Sequence, residues 1–185
     1  FTSVHRLAEI EWSRGNIDEA KRLYDQAKQT FVRLGDPSAA AIALLHLALI
    51  DLNQNNYESA SQLANEAKNI FQRLVDQLGV ANSIGVLAMI EDVRGNHDKA
   101  VGLLDEARGI FSKIGDQSAI AGSLRVLADF ELVKNNYNEA SRLLRECLNA
   151  KQRLGEQREI AEALNDLAKV ERRKSNYDEA KKLSN

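Results

Sequence analysis

Five acids stand at one fixed spacing in this chain: Glu11, Asp51, Glu91, Glu131 and Glu171 recur every forty residues. Carboxylates do acid–base chemistry when they converge on a reacting group, and these are spread as a ladder with no nucleophile among them. A structural role is expected. The column falls near the end of a helix, the unfavourable end for negative charge, so each acid needs a partner. Arg14, Arg94, Lys134 and Lys174 follow three residues later and can pair with four of the five, whereas Gln54 leaves the partner of Asp51 undefined.

The other chemistry-bearing residues are sparse. His5 and His46 lie on corresponding helices of adjacent units and can approach each other, but two imidazoles without a third ligand make a poor metal site, so surface roles are expected. His97 starts a helix where other units have Tyr or Ile and reads as a packing variant. Cys147 is alone, which excludes an internal disulfide and suits a reducing cytoplasm. It replaces alanine in a packed column and is expected to be a buried small side chain, not a nucleophile. Arg172, Arg173 and Lys174 form a short basic run without interleaved aromatics, expected to be solvated surface and not a nucleic-acid contact. There is no phosphate-binding glycine loop, zinc-ligand spacing or nucleophile triad. The expectation is a protein that is not an enzyme and uses no cofactor or metal.

The elements that carry these residues follow the same period. Residues 81–120 shifted by forty in either direction land on a near copy of themselves without gaps. Such a period marks a repeat array, whose units bury their apolar faces only by stacking. Units are expected at 1–40, 41–80, 81–120, 121–160 and a truncated 161–185, together forming one solenoid cut from a longer chain. An aromatic content of 5% is thin for a single globular core, and alanine and leucine carry the apolar fraction instead. The net charge of −2 gives no overall pull toward nucleic acid or anionic membrane, and no apolar run is long enough to span a bilayer.

Each unit shows two apolar stripes at helical spacing, in the second unit Ala41, Leu44, Leu47, Ala48 and then Tyr57, Ala60, Leu63, Ala67, Phe71, Leu74. Columns of small residues run through the chain: Ala8, Ala48, Ala88, Ala128, Ala168, then Ala20, Ala60, Ala100, Ala140, Ala180, then Ala27, Ala67, Ala107 with Cys147. They are expected where helices cross. A leucine column, Leu7, Leu47, Leu87, Leu127, Leu167, precedes the first of them. Turns within a unit carry Gly15-Asn16, Asn55-Asn56, Gly95-Asn96, Asn135-Asn136 and Ser175-Asn176, where the second Asn is expected to cap the next helix. Asn16 with Glu19, Asn136 with Glu139 and Asn176 with Glu179 have capping-box spacing. Turns between units carry Gly35-Asp36, Gly115-Asp116 and Gly155-Glu156, with Pro37 opening one helix. Val75-Asp76 lacks the glycine, so a tighter or frayed end is expected there, or a cap supplied by Gly79. Helices of roughly seventeen residues joined by short linkers must be antiparallel neighbours.

The paired small-residue columns and turn residues resemble the tetratricopeptide repeat family along the whole chain. Val4, Leu44, Ile84, Leu124 and Leu164 stand where that family often has Trp, and an acid where it often has Tyr. The forty-residue unit resembles arrays in bacterial multidomain regulators, among them nucleotide-switch ATPases and transcription factors, and in eukaryotic spindle-orientation adaptors. The resemblance implies an all-α solenoid, a right-handed superhelix of antiparallel helix pairs whose concave groove, lined by first helices, holds a peptide or partner helix.

Comparison among the units points to the same face. Positions outside the first-helix stripe vary: Ile42, Leu45, Leu49, Leu52; then Asn82, Gly85, Met89, Asp92; then Gly122, Arg125, Asp129, Leu132; then Glu162, Asn165, Lys169, Arg172. Their three- and four-residue steps put them on one helix face. A face that packing leaves free can be specific, and the apolar share in the second unit reads as a contact patch. The alternative is that Ile42, Leu45, Leu49 and Leu52 pack under a missing or neighbouring segment. Units two and three hold six basic and ten acidic residues, units four and five thirteen and eleven, so a partner with a complementary gradient is expected. The function expected is a cytoplasmic module binding a protein, a peptide or a segment of its own parent chain. The alternatives are the ligand-sensing arm of a multidomain regulator and a passive spacer. Leu183 on the truncated unit gives a route to self-association.

Overall fold

The computed structural model describes residues 3–175, and among these every regular element is an α-helix. In chain order they are α1 (Ser3–Ser13), α2 (Ile17–Arg33), α3 (Pro37–Asn53), α4 (Tyr57–Arg73), α5 (Gln77–Val93), α6 (His97–Ile114), α7 (Gln117–Val133), α8 (Tyr137–Leu154) and α9 (Gln157–Arg173). The expectations placed on Asn176, Glu179, Ala180 and Leu183 lie outside the described residues. Two compact units divide the chain, Phe1–Leu103 and Leu104–Asn185. In the first, α1 packs on α2, α2 on α3, α3 on α4 and α4 on α5, with α3 also beside α5. In the second, α7 packs on α8 and α8 on α9.

The small-residue columns mark the crossings. Ala8, Ala48, Ala88 and Ala128 are each 0% exposed, as are Ala20, Ala60, Ala100 and Ala140, and Cys147 sits buried at the end of the third column. Only a methyl-sized side chain lets two backbones approach this closely. Leu47 shows what the leucine column does: it packs with Ala8, Ala20, Leu23, Tyr24 and Ile50, closing over the helix pair before it. Leu7 is 45% exposed, since no unit precedes it among the described residues.

Both kinds of turn use one hydrogen-bond pattern. Gly15 N donates to Trp12 O at 3.0 Å and Asn16 N to Glu11 O at 2.9 Å; Gly35 N donates to Val32 O at 3.2 Å and Asp36 N to Phe31 O at 2.9 Å. This is the Schellman arrangement, which needs a left-handed residue at the closing position. Asp36, Asp76 and Asp116 then accept from the amides of Ala39, Gly79 and Ala119, each at 2.9 Å, and so open the next helix.

Two expectations about turns are overturned. The end of α4 is neither frayed nor tightened, because Val75 itself takes the left-handed conformation at φ 57° and makes the same bonds, Val75 N to Gln72 O at 3.1 Å and Asp76 N to Phe71 O at 2.9 Å. Gly79 is not the cap. It makes room for Phe71, whose ring lies 2.2 Å from where a Cβ on Gly79 would stand. The turn asparagines also depart from the capping reading: Asn16, Asn56 and Asn136 make no side-chain cap bond, and no capping box closes at Glu19 or Glu139, which bind Arg22 and Arg142 instead. The side-chain amides of Asn16 and Asn136 turn back toward the acid column.

Candidate functional site

The acid column is deeper than its charge suggests, with Asp51 2%, Glu91 6% and Glu171 1% exposed. A buried carboxylate persists only when hydrogen-bonded and paired. The turn asparagines supply part of this: Asn16 Nδ2 donates to Glu11 Oε2, Asn96 Nδ2 to Glu91 Oε2 at 2.8 Å and Asn136 Nδ2 to Glu131 Oε2 at 2.7 Å. Of the four cations expected three residues on, Arg14 binds Glu11 at 3.0 Å, Arg94 binds Glu91 at 3.6 Å and Lys174 binds Glu171 at 3.4 Å. Lys99 adds a bond to Glu91 at 3.0 Å. The hydrogen bond from Asn96, and after it the one from Lys99, holds the Glu91 carboxyl below its ordinary range.

Partners from the preceding helix pair are what sequence reasoning missed. Lys21 on α2 donates to Asp51 from the preceding pair, and Ser59 on α4 donates to it from the acid's own pair, which settles the partner left undefined. Ser141 and Arg145 on α8 donate to Glu171 at 2.6 and 3.3 Å. Lys21 and Ser141 occupy one column, thirty residues before their acids, and that shared offset was the signal available. The acid ladder therefore ties helix pairs together. Its carboxylates are occupied by amides, hydroxyls and cations, an arrangement suited to holding structure.

One turn carries a coupled exchange. Phe31, Phe71 and Phe111 share a column with Lys151, and Asp36, Asp76 and Asp116 share one with Glu156. Glu156 makes no cap bond to the α9 amides; it accepts from Lys151, whose hydrogen bond holds the Glu156 carboxyl low, and from Ser118. An ion pair stands where the other turns have an aromatic ring and an aspartate cap.

The histidine expectation is corrected. His5 is buried at 2% exposure, covered by Tyr24 at a ring distance of 5.3 Å and by His46 at 5.2 Å, while Tyr24 and His46 stack in parallel at 4.7 Å. Burial lowers the pKa of both imidazoles and pushes the Tyr24 hydroxyl up to about 12. A third ligand is present: Glu9, one helical turn after His5, brings Oε1 to 3.7 Å from His5 Nε2. The ligand atoms of His5, Glu9 and His46 lie within 4.8 Å of one another. His97 is half-buried and its Nδ1 meets Asp92 Oδ1 at 2.7 Å. Burial raises the pKa of the Cys147 thiol, which suits a packing role.

The variable first-helix face divides by exposure. Ile42, Leu45, Leu49 and Leu52 are half-buried, and the last three pack against Ala48, Ala60, Ala64, Val86, Leu87 and Ile90. Beside them on α5, Asn82 and Met89 are exposed, with Gly85 and Asp92 half-buried. In the second unit Arg125, Asp129, Asn165, Lys169 and Arg172 are exposed and Leu132 is half-buried. There Arg125 on α7 reaches Glu162 on α9 at 2.8 Å, and Arg158 reaches the same carboxylate at 3.2 Å. Shallow hollows lie elsewhere, at the turns, one lined by Asn55, Tyr57, Glu58 and Arg94, another by Asn135, Tyr137, Arg142 and Lys174. Among the described residues no helix is long and apolar enough to cross a membrane.

Residues 1–73 match the family described as tetratricopeptide repeat. No curated protein matches the sequence. Among solved structures, BtubC (BKLC) from P. vanneervenii has TM-score 0.77 and 19% identity over 97% of this chain and 75% of that one. A Rap protein complexed with Competence and Sporulation Factor has TM-score 0.84 and 16% identity over 97% of this chain and 50% of that one. A signal transduction ATPase with numerous domains from Pyrococcus horikoshii, carrying a tetratricopeptide repeat sensor, has TM-score 0.81 and 21% identity over 97% of this chain and 28% of that one. At these identities the likeness shows the fold.

Proposed function

We propose that this array of tetratricopeptide-type repeats is a protein-binding module that holds a peptide or helix of another protein, or of its parent chain, on the face of its first helices. The observation that supports this most is the contrast on α5. Ala81, Ile84, Leu87, Ala88 and Glu91 are buried, while Asn82 and Met89 on the same helix are exposed and take a different residue type in every unit. A surface that varies where the architecture is constant is free to read a partner. Half-buried Leu45, Leu49 and Leu52 on adjacent α3 give it an apolar floor. Apolar contact supplies affinity at such a surface, and the polar residues Asn82 and Asp92 beside it supply selection. In the unit Leu104–Asn185, taken by itself, the corresponding first-helix face carries Arg125, Asp129, Asn165, Lys169 and Arg172.

The test is selection of peptides from a displayed random library on the full chain, followed by affinity measurement on two variants. Asn82→Arg with Met89→Glu changes exposed positions on this face, and Asn69→Arg changes an exposed position on α4. Loss of binding in the first with retention in the second is expected. Equal binding by both would contradict the proposal.

The second reading is a sensor arm, favoured by the likeness to the Pyrococcus horikoshii ATPase, of which this chain spans 28%. It uses the same face and adds that occupancy controls a linked domain. Sequencing the parent gene discriminates, since a phosphate-binding loop before the array supports the sensor reading and its absence throughout opposes it.

A further inference from the structure

We propose that His5, Glu9 and His46 form a binding site for one divalent transition-metal cation of the zinc class, with three protein ligands and a fourth position open to water. The proposal is independent of peptide binding.

Geometry carries it. His5 and Glu9 stand four residues apart on α1, the spacing that puts two side chains one above the other on a helix, and His46 comes across from α3. Ligands at about 2.0–2.1 Å from a tetrahedral zinc are about 3.4 Å from one another. His5 Nε2 and Glu9 Oε1 are already 3.7 Å apart, and all three ligand atoms lie within 4.8 Å of each other. The adjustment needed falls on Glu9, whose side chain is 53% exposed and free to swing, while the imidazoles are fixed by ring contacts with Tyr24. Two nitrogens and one carboxylate suit zinc, cobalt or nickel better than magnesium or calcium, which prefer all-oxygen shells.

The repeat architecture supplies a second, independent observation. Forty residues further along, the positions of His5 and His46 are taken by Leu45 and Val86, which pack in one apolar cluster. That slot between successive first helices is filled well by an aliphatic pair, so packing does not call for two imidazoles in the first unit. The position of Glu9 likewise holds Leu49, Met89, Asp129 and Lys169 elsewhere. The three ligand types coincide only here.

The experiment is an equilibrium titration of the full chain with zinc chloride against a chromogenic chelator, and with cobalt chloride read by visible absorption. Wild type and the control His97→Gln are expected to bind one ion per chain, with the intense visible bands of four-coordinate cobalt. Glu9→Gln should weaken zinc by at least the roughly tenfold that losing an outer partner of a metal ligand costs. His5→Leu with His46→Val installs the aliphatic pair of the next slot and should keep the helical signal while abolishing binding. Absence of one-to-one binding by wild type overturns the proposal. So does undiminished affinity in Glu9→Gln, an exposed change that decides the matter even if the double variant does not fold.

Discussion

Val75→Gly should stabilise the protein. Val75 closes α4 at φ 57°, a conformation that costs an L-residue roughly 1–2 kcal/mol and suits a β-branched side chain least. The equivalent turns carry Gly35, Gly115 and Gly155 at φ 69°, 81° and 70°, so glycine fits this backbone without displacement. The valine side chain is 76% exposed, and its removal forfeits little burial. Against the relief stands the greater freedom glycine gives the unfolded chain, about 0.4–1 kcal/mol. The balance is a gain of about 0.5–1 kcal/mol. Asn55→Gly is the internal reference, because asparagine tolerates φ 62° and its Oδ1 accepts from the Tyr57 hydroxyl at 2.8 Å, so nothing is gained there. Urea unfolding followed by circular dichroism reads both as midpoint shifts at constant slope. A lower midpoint for Val75→Gly, or an equal rise for Asn55→Gly, would refute the argument from left-handed strain.

Asn136→Asp separates the two roles open to the turn asparagines: a helix cap accepts Asp as readily as Asn, whereas a donor to Glu131 does not, so a loss of about 1–3 kcal/mol in urea unfolding is expected and no change would restore the cap. Lys21→Met leaves Asp51 buried with Ser59 and without its cation, and should cost about 1–3 kcal/mol by the same assay, where an unchanged midpoint would argue against cross-pair ties. Lys151→Phe combined with Glu156→Asp should be more stable than the sum of the single changes by about 0.5–1 kcal/mol, and additivity in a double-mutant cycle would count against the exchange being coupled. Acid should weaken the fold through His5 and His46: burial holds both folded-state pKa values below 6.5, so the unfolded chain takes up protons first, and stability present above that value falls as pH drops below it. Urea midpoints at about pH 7.5 and about pH 5.5 check this, with a smaller fall expected in His5→Leu/His46→Val.

The helices, their lengths and their crossings were legible because periodic packing is local and repeats. Ala48 says the same thing as Ala88 and Ala128, and one chain holds its own comparison. The turns were legible in kind but not in detail. Asn at a helix start has two uses, and which wins depends on whether a column carboxylate lies within reach, as Glu91 does for Asn96. Val75 shows the limit of residue preference: the hydrogen bonds of the turn and the Asp76 cap hold the backbone left-handed against the side chain's own preference. The histidine cluster was illegible because its third member, Glu9, is one ordinary surface glutamate among many until α1 and α3 are set side by side. On the candidate face, spacing put the residues together, but only the packing of Leu45, Leu49 and Leu52 against Val86 and Leu87 shows that they also carry core load. The exposed pair Asn82 and Met89 is for that reason the cleaner handle for mutation.

Met89 is the chain's single methionine and lies 44% exposed in the middle of the proposed binding face, so its labelled methyl group gives one resonance at the place where the account must succeed. On titration of the full chain with a library-selected peptide, this resonance is expected to move and to saturate with the binding isotherm. A resonance that stays in place at full occupancy would put the partner on another surface.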